Sequence, residues 1–209
     1  MQGLSEFKLK KFKIMQSDKG MKVSLDALIF AAYIEKDKKT AIDIGAGTGV
    51  LSLVLAQDSK THITALEIDS FISDICEMNF KASPFASRLD LKQTCFLDYM
   101  KTEGRPSFDL VISNPPFFKD SIQSKEEKRN IARHETNFSY KDIIHNAGSL
   151  LNDEGFLYLL MPYSRCDEIR SCAKRAGLYL CELALIKSRS NKAAKTAIYR
   201  FSNLSLIHI

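Results

Sequence analysis

The apolar positions of this chain fall into short runs separated by stretches of helical spacing. Apolar runs cover residues 40–44, 63–67, 89–94, 108–113, 156–161, 178–186 and 197–201. Runs this short, bounded by turn residues, predict buried strands. Between them the spacing predicts helices over 25–33, 50–57, 71–82, 140–151 and 165–176. Ser24 suits the N-cap of the first, and Gly177 the C-cap of the last. Residues 152–155, Asn-Asp-Glu-Gly, read as a turn. Residues 7–15 alternate through Phe7, Leu9, Phe12 and Ile14, predicting one further strand ahead of the first helix. Strand–helix alternation implies parallel pairing with right-handed crossovers. The last two strands, joined by residues 187–195, read as a hairpin that adds an antiparallel edge strand. The expectation is an α/β fold: a seven-stranded, mostly parallel sheet with helices on both faces and an antiparallel C-terminal hairpin. Its 209 residues predict a single domain over 1–209, with residues 1–35 a strand and helix extension beside the site.

Chemistry gathers where strands end. Asn114-Pro115-Pro116-Phe117 follows the run 108–113. Such a turn can hold a planar amino group for alkylation. The nitrogen of an amide or an aromatic amine is a poor nucleophile because its lone pair is delocalised. If the Asn114 side-chain oxygen and the Pro115 carbonyl each accept one N–H, electron density returns to that nitrogen. Proline fixes φ and removes a competing donor, and Phe117 offers a flat face for stacking. Two prolines can also merely end a strand; the asparagine before and the aromatic after favour the site.

The run 40–44 opens into Gly45-Ala-Gly47-Thr-Gly49. Glycines let a ligand approach the main chain closely, beyond the carboxyl end of the strand. About twenty residues later Glu67 ends the next run, where an acid can accept ribose hydroxyls. The spacing is G-x-G-x-G, not the G-x-G-x-x-G of dinucleotide sites, and Asp43 precedes the loop. A carboxylate there disfavours phosphates and suits a cationic amine and sulfonium. The expected ligand is S-adenosylmethionine.

Composition narrows the setting. Apolar residues make up 45% and charged residues 26%, as in soluble globular proteins. No apolar run is long enough to cross a membrane, and the first residues lack a signal-peptide core. The five cysteines are scattered with no C-x-x-C pair, so neither a metal site nor a disulfide framework is expected, and a reducing cytoplasm is. The net charge of +5 is modest but clustered. Lys8, Lys10, Lys11, Lys13, Lys19 and Lys22 lie near one end, and Lys187, Arg189, Lys192 and Lys195 near the other. A basic run is usually a solvated face; two flanking a site for a planar amine point to a polyanionic substrate. The long polar stretch 119–138 carries Arg133 and His134 and is expected to grip substrate. None of His62, His134, His145 and His208 sits in an acid–base constellation.

Taken together, these residues resemble the class I S-adenosylmethionine-dependent methyltransferases, whose fold is Rossmann-like. Phe7-Lys-Leu-Lys-Lys-Phe12, Met21-Lys-Val-Ser-Leu-Asp26 and Ala132-Arg-His-Glu135 narrow the resemblance to the bacterial tRNA1(Val) adenine-37 N6-methyltransferases. The resemblance implies that Gly45, Gly47 and Gly49 line the methionine part of the cofactor, with Asp43 near its amine. It implies that Glu67 holds the ribose and Asp98 the adenine amino group, with Lys22 and Asp26 closing the cofactor side. Asn114, Pro115, Pro116 and Phe117 become the catalytic turn. The chain is then expected to act as a monomer on tRNA, held by Arg133, His134, Lys187, Arg189, Lys192 and Lys195. Phenylalanine replaces the tyrosine that can end the turn, keeping stacking and losing a hydroxyl. Three other readings stay open: a glutamine N5-methyltransferase acting on protein, an rRNA guanine N2-methyltransferase, and a non-catalytic RNA-binding module. The first two usually have longer chains.

Overall fold

A computed structural model describes residues 3–17, 22–115 and 139–204. Leu4–Lys8 (β1) and Lys13–Ser17 (β2) form a separate antiparallel pair, closed by Leu9 N–H donating to the Phe12 carbonyl at 2.9 Å. The single strand expected over residues 7–15 is therefore a hairpin. Leu25–Tyr33 (α1) follows, capped by the Ser24 hydroxyl accepting from Ala27 N–H at 3.2 Å.

The main sheet contains Thr40–Ile44 (β3), His62–Glu67 (β4), Leu89–Gln93 (β5), Phe108–Ser113 (β6), Leu151–Pro162 (β7), Tyr179–Ile186 (β8) and Thr196–Ser202 (β9). Their order is β5-β4-β3-β6-β7-β9-β8. The pairs from β5 to β7 are parallel; β9 runs antiparallel to both β7 and β8. The antiparallel strand is thus inserted beside the edge, and β8 is the edge itself. The order reverses between β3 and β6, the place where such sheets bind ligands.

Side chains alternate across the sheet. Ala41, Leu110, Ile112, Tyr158 and Leu160 pack with α1, Val50–Asp58 (α2) and Ser70–Ala82 (α3). On the other face Ile42, Ile44, Val111, Leu157 and Leu159 pack with Phe96–Lys101 (α4), Tyr140–Ala147 (α5) and Cys166–Arg175 (α6). Each fully buried large apolar side chain contributes roughly 1.5–3 kcal/mol. The last helix ends in the Gly177 cap, at φ 74°, with Leu178 N–H donating to the Ala173 carbonyl at 2.9 Å.

Two more expectations are corrected. No turn interrupts β7: Asn152-Asp-Glu-Gly155 lies within it, in a register shift that takes Phe108↔Leu151 to Leu110↔Phe156. Gly155 is needed there, since a Cβ would lie 3.0 Å from the Phe108 and Asn152 carbonyl oxygens and from Leu151. Residues 96–101, absent from the helices expected from sequence, form α4.

Candidate active site

Strand β6 is the central apolar rod, with Leu110, Val111, Ile112 and Ser113 all fully buried. Asp43 pairs with Ile112, so β3 and β6 end together. The Ser113 hydroxyl donates to the Ile44 carbonyl at 2.7 Å and pins the two strand ends to each other. The residues that follow, Gly45 and Asn114, consequently leave the sheet side by side.

They open into one cleft of about 280 Å³. One wall is the glycine loop from Gly45 to Thr48, and another is Asn114 and Pro115. A third is Lys22, Val23, Ser24 and Asp26, at and before the start of α1; Val50, Leu51 and Leu160 add apolar surface. Asn114 is half-buried and Pro115 buried.

The three loop glycines have φ of 73°, 58° and 81°, values that L side chains avoid. Their roles differ. A Cβ on Gly45 or Gly47 would meet nothing within 4 Å, whereas one on Gly49 would lie 2.5 Å from Phe80 Cε1 and 2.9 Å from Cys76 Sγ. Gly49 therefore packs the loop against α3 and is not on the cleft wall.

Two acids brace the loop. Glu67 accepts Gly47 N–H on Oε2 and both Ile68 and Asp69 N–H on Oε1, each at 2.9 Å. Burial raises its pKa, against those three donors. Asp43 is fully enclosed, off the cleft wall, and accepts the Ser52 hydroxyl on Oδ2 at 2.7 Å. Its Oδ1 is buried with no partner. Burial pushes its pKa up to about 7 despite the Ser52 bonds, and Glu67 adds to the rise. The orphaned Oδ1 stays off the cleft wall, while Gly45 and Gly47 leave open space on the cleft for a ligand.

Asp98 does not join this group. It sits in the first turn of α4, largely exposed, bonded to Lys101 at 2.7 Å. The segment beside Glu67 is instead Thr94-Cys95, because Thr94 N–H donates to the Glu67 carbonyl at 3.0 Å. Asp26 lines the cleft, and its Oδ2 accepts the Thr196 hydroxyl at 2.9 Å. Lys187, Arg189, Lys192 and Lys195 are exposed on the β8–β9 loop. Pro116, Phe117, Arg133 and His134 lie outside the described residues.

Sequence reasoning missed Asn79. It is 1% exposed, accepts Met15 N–H at 2.7 Å, and donates to the Met15 and Thr48 carbonyls, both at 2.9 Å. It thus ties the N-terminal hairpin to the glycine loop. Among the described residues no helix is long and apolar enough to cross a membrane, and no cluster of potential metal ligands occurs.

The sheet order, glycine loop and Asn-Pro turn define a Rossmann-like methyltransferase, and residues 12–164 match the family model of the methyltransferase small domain. Solved structures share the fold. A methyltransferase of Pyrococcus furiosus superposes with TM-score 0.71 over 94% of this chain and 91% of its own, at 17% identity. TYW2 of Pyrococcus horikoshii, solved in complex with MeSAdo, gives 0.68 over 96% and 71%, at 14% identity. Proteins named tRNA1(Val) (adenine(37)-N6)-methyltransferase are much nearer in sequence. That of Parabacteroides distasonis is 34% identical over 82% of this chain and 73% of its own length. That of Flavobacterium johnsoniae is 32% identical over 94% and 84%. The chain belongs to this tRNA1(Val) (adenine(37)-N6)-methyltransferase family.

Proposed function

We propose that the protein transfers a methyl group from S-adenosylmethionine to N6 of adenine 37 in tRNA1(Val). The observation that carries the chemistry is the Ser113–Ile44 bond, which sets Asn114 next to the glycine loop on one cleft. The Asn114 side-chain oxygen and the Pro115 carbonyl accept the two N6 hydrogens. This orients the amine and localises its lone pair. S-adenosylmethionine, when bound, supplies an electrophilic methyl group and leaves as a thioether. Gly45 and Gly47 give it bare backbone to lie on, and Glu67 retains acceptor capacity on Oε2 for a hydroxyl. The alkylated nitrogen sheds its proton to water, so the turn has no base to supply. The adenine enters from a single-stranded loop, where bases unstack most cheaply. The exposed cations between β8 and β9 contact the phosphates.

The test is incubation of the protein with radiolabelled cofactor and total tRNA from cells lacking the gene, followed by nucleoside mapping. Label is expected in N6-methyladenosine at position 37. Label confined to guanine N2, or to a protein glutamine, would replace this reading with one of the rivals.

A further inference from the structure

The strand order β3-β6-β7 divides the space above the strand ends. The glycine loop rises from β3, and Glu67 from β4 beyond it, both on the side of β6 away from β7. A cofactor held there leaves Asn114 open towards β7, so a substrate base reaches the turn over that strand. Strand β7 leaves the sheet through Leu160, which lines the cleft, and Pro162. It ends in the single 3₁₀ turn Tyr163–Arg165.

Among the described residues the exposed aromatic side chains are Tyr33, Phe71, Tyr163 and Tyr179. Tyr33 ends α1 and Tyr179 begins β8, both at the end of the sheet opposite the cleft. Phe71 lies in the first turn of α3, after Glu67 and on the cofactor side. Tyr163 alone of the four stands beyond the end of β7, and it is 39% exposed. Its backbone is held twice: its N–H donates to the Lys195 carbonyl at 2.9 Å, and its carbonyl accepts Cys166 N–H. Cations adjoin it. Lys195 is exposed at the base of the basic loop, and Arg165 lies in the same turn with its guanidinium 5.9 Å from the Tyr140 ring. A fixed, exposed aromatic face among cations suits single-stranded RNA, whose bases stack on rings while its phosphates follow positive charge.

Resting on the functional reading above, we propose that Tyr163 is a stacking platform for the base next to the target adenine. Three residues of extended chain separate it from Leu160, about 10 Å. That is too far for it to share the target base with Asn114, and within reach of the base beside it. Tyrosine offers this face at small entropic cost, having few rotatable bonds, and the two backbone hydrogen bonds fix where the face points.

The test uses the full chain with unmodified tRNA transcripts: one intact, and two with an abasic site on one or the other side of the target. On the intact transcript Tyr163→Ala should lower kcat/KM about five- to a hundredfold, mainly through KM, as loss of one stacked base does. Tyr163→Phe should stay near wild type. Tyr163→Leu should fall with alanine, because it fills space without a π face. One abasic transcript should cost the wild-type protein as much as Tyr163→Ala does, and cost that variant nothing more. S-adenosylhomocysteine affinity by calorimetry and the thermal midpoint should be the same in wild type and Tyr163→Ala. Wild-type kcat/KM in Tyr163→Ala, leucine as good as phenylalanine, or additive losses on both abasic transcripts overturns the proposal. So does a loss in Tyr163→Ala that comes with weaker cofactor-product binding or a lower midpoint, which would make Tyr163 a packing residue. A wild-type protein that transfers no methyl to tRNA refutes the functional reading itself; an active one indifferent to Tyr163→Ala refutes only the platform.

Discussion

Replacing Asn79 with alanine tests how the N-terminal hairpin is held. The side chain makes three hydrogen bonds, of 2.7, 2.9 and 2.9 Å, to two backbone segments that otherwise lack a link through it. Removing it strands the Met15 N–H, the Met15 carbonyl and the Thr48 carbonyl. A buried polar group left without a partner costs about 1–3 kcal/mol. Met15 is half-buried, so water can reach its groups and the cost there is near the lower bound. Thr48 is 4% exposed, which places its carbonyl nearer the upper. The sum is about 4–5 kcal/mol, a large part of a typical stability of about 5–15 kcal/mol. Urea denaturation should record that loss. Hydrogen exchange should show the Met15 amide losing protection, and cofactor affinity should fall because Thr48 belongs to the glycine loop. Asn79→Asp should be at least as harmful, since a carboxylate can still accept from Met15 N–H but faces two carbonyls it cannot satisfy. A loss below about 1 kcal/mol with Met15 still protected would refute the reasoning, because groups of this burial cannot be orphaned that cheaply.

Asn114→Ala should lower turnover about a hundredfold, by analogy with removing one polarising hydrogen-bond partner, while cofactor affinity stays nearly constant; unchanged single-turnover rates would contradict the role given to the turn. Gly49→Ala should destabilise by about 2–5 kcal/mol, from positive φ and overpacking against Phe80 and Cys76. Gly47→Ala should cost only about 1–2 kcal/mol yet weaken cofactor binding more, a contrast that thermal melts and calorimetry can separate. The raised pKa of Asp43 makes stability fully present below an ordinary carboxylate pKa of about 4 and lost as pH rises through about 7. The slope is at most about 1.4 kcal/mol per pH unit across that window. Asp43→Asn should flatten it, as measured by denaturation at pH 5 and pH 8; identical slopes would mean Asp43 is solvated.

The central elements were legible because their signals are local. Strands β3 and β6 have the limits read from sequence, since continuous apolar runs stop at Gly45 and at Asn114-Pro115. The β1–β2 turn left only a faint signal, because Leu9 to Phe12 contains no glycine, proline or asparagine and the alternation merely changes phase there, from Phe7 and Leu9 to Phe12 and Ile14. The β7 irregularity failed in the opposite way. Asn152-Asp-Glu-Gly155 has turn composition, yet Asn152 Nδ2 donates to Asp109 Oδ1 at 2.8 Å and Gly155 fits against the β6 backbone. Asp98, implied by the family resemblance, lies in the first turn of α4, whereas the strand register sets Thr94 and Cys95 beside the end of β4. Asn79 with Met15, and Asp26 with Thr196, lie 64 and 170 residues apart, so no local pattern announces them.

Glu67 carries a consequence for any ribose-bearing ligand. Three of the four lone pairs on its carboxylate are already committed to the protein's own amides. The acid proposed for the sugar is therefore also the brace of the glycine loop. A substitution of Glu67 made to alter ligand preference would also release the three amides that shape the loop, so its effect on binding would carry a cost in loop integrity.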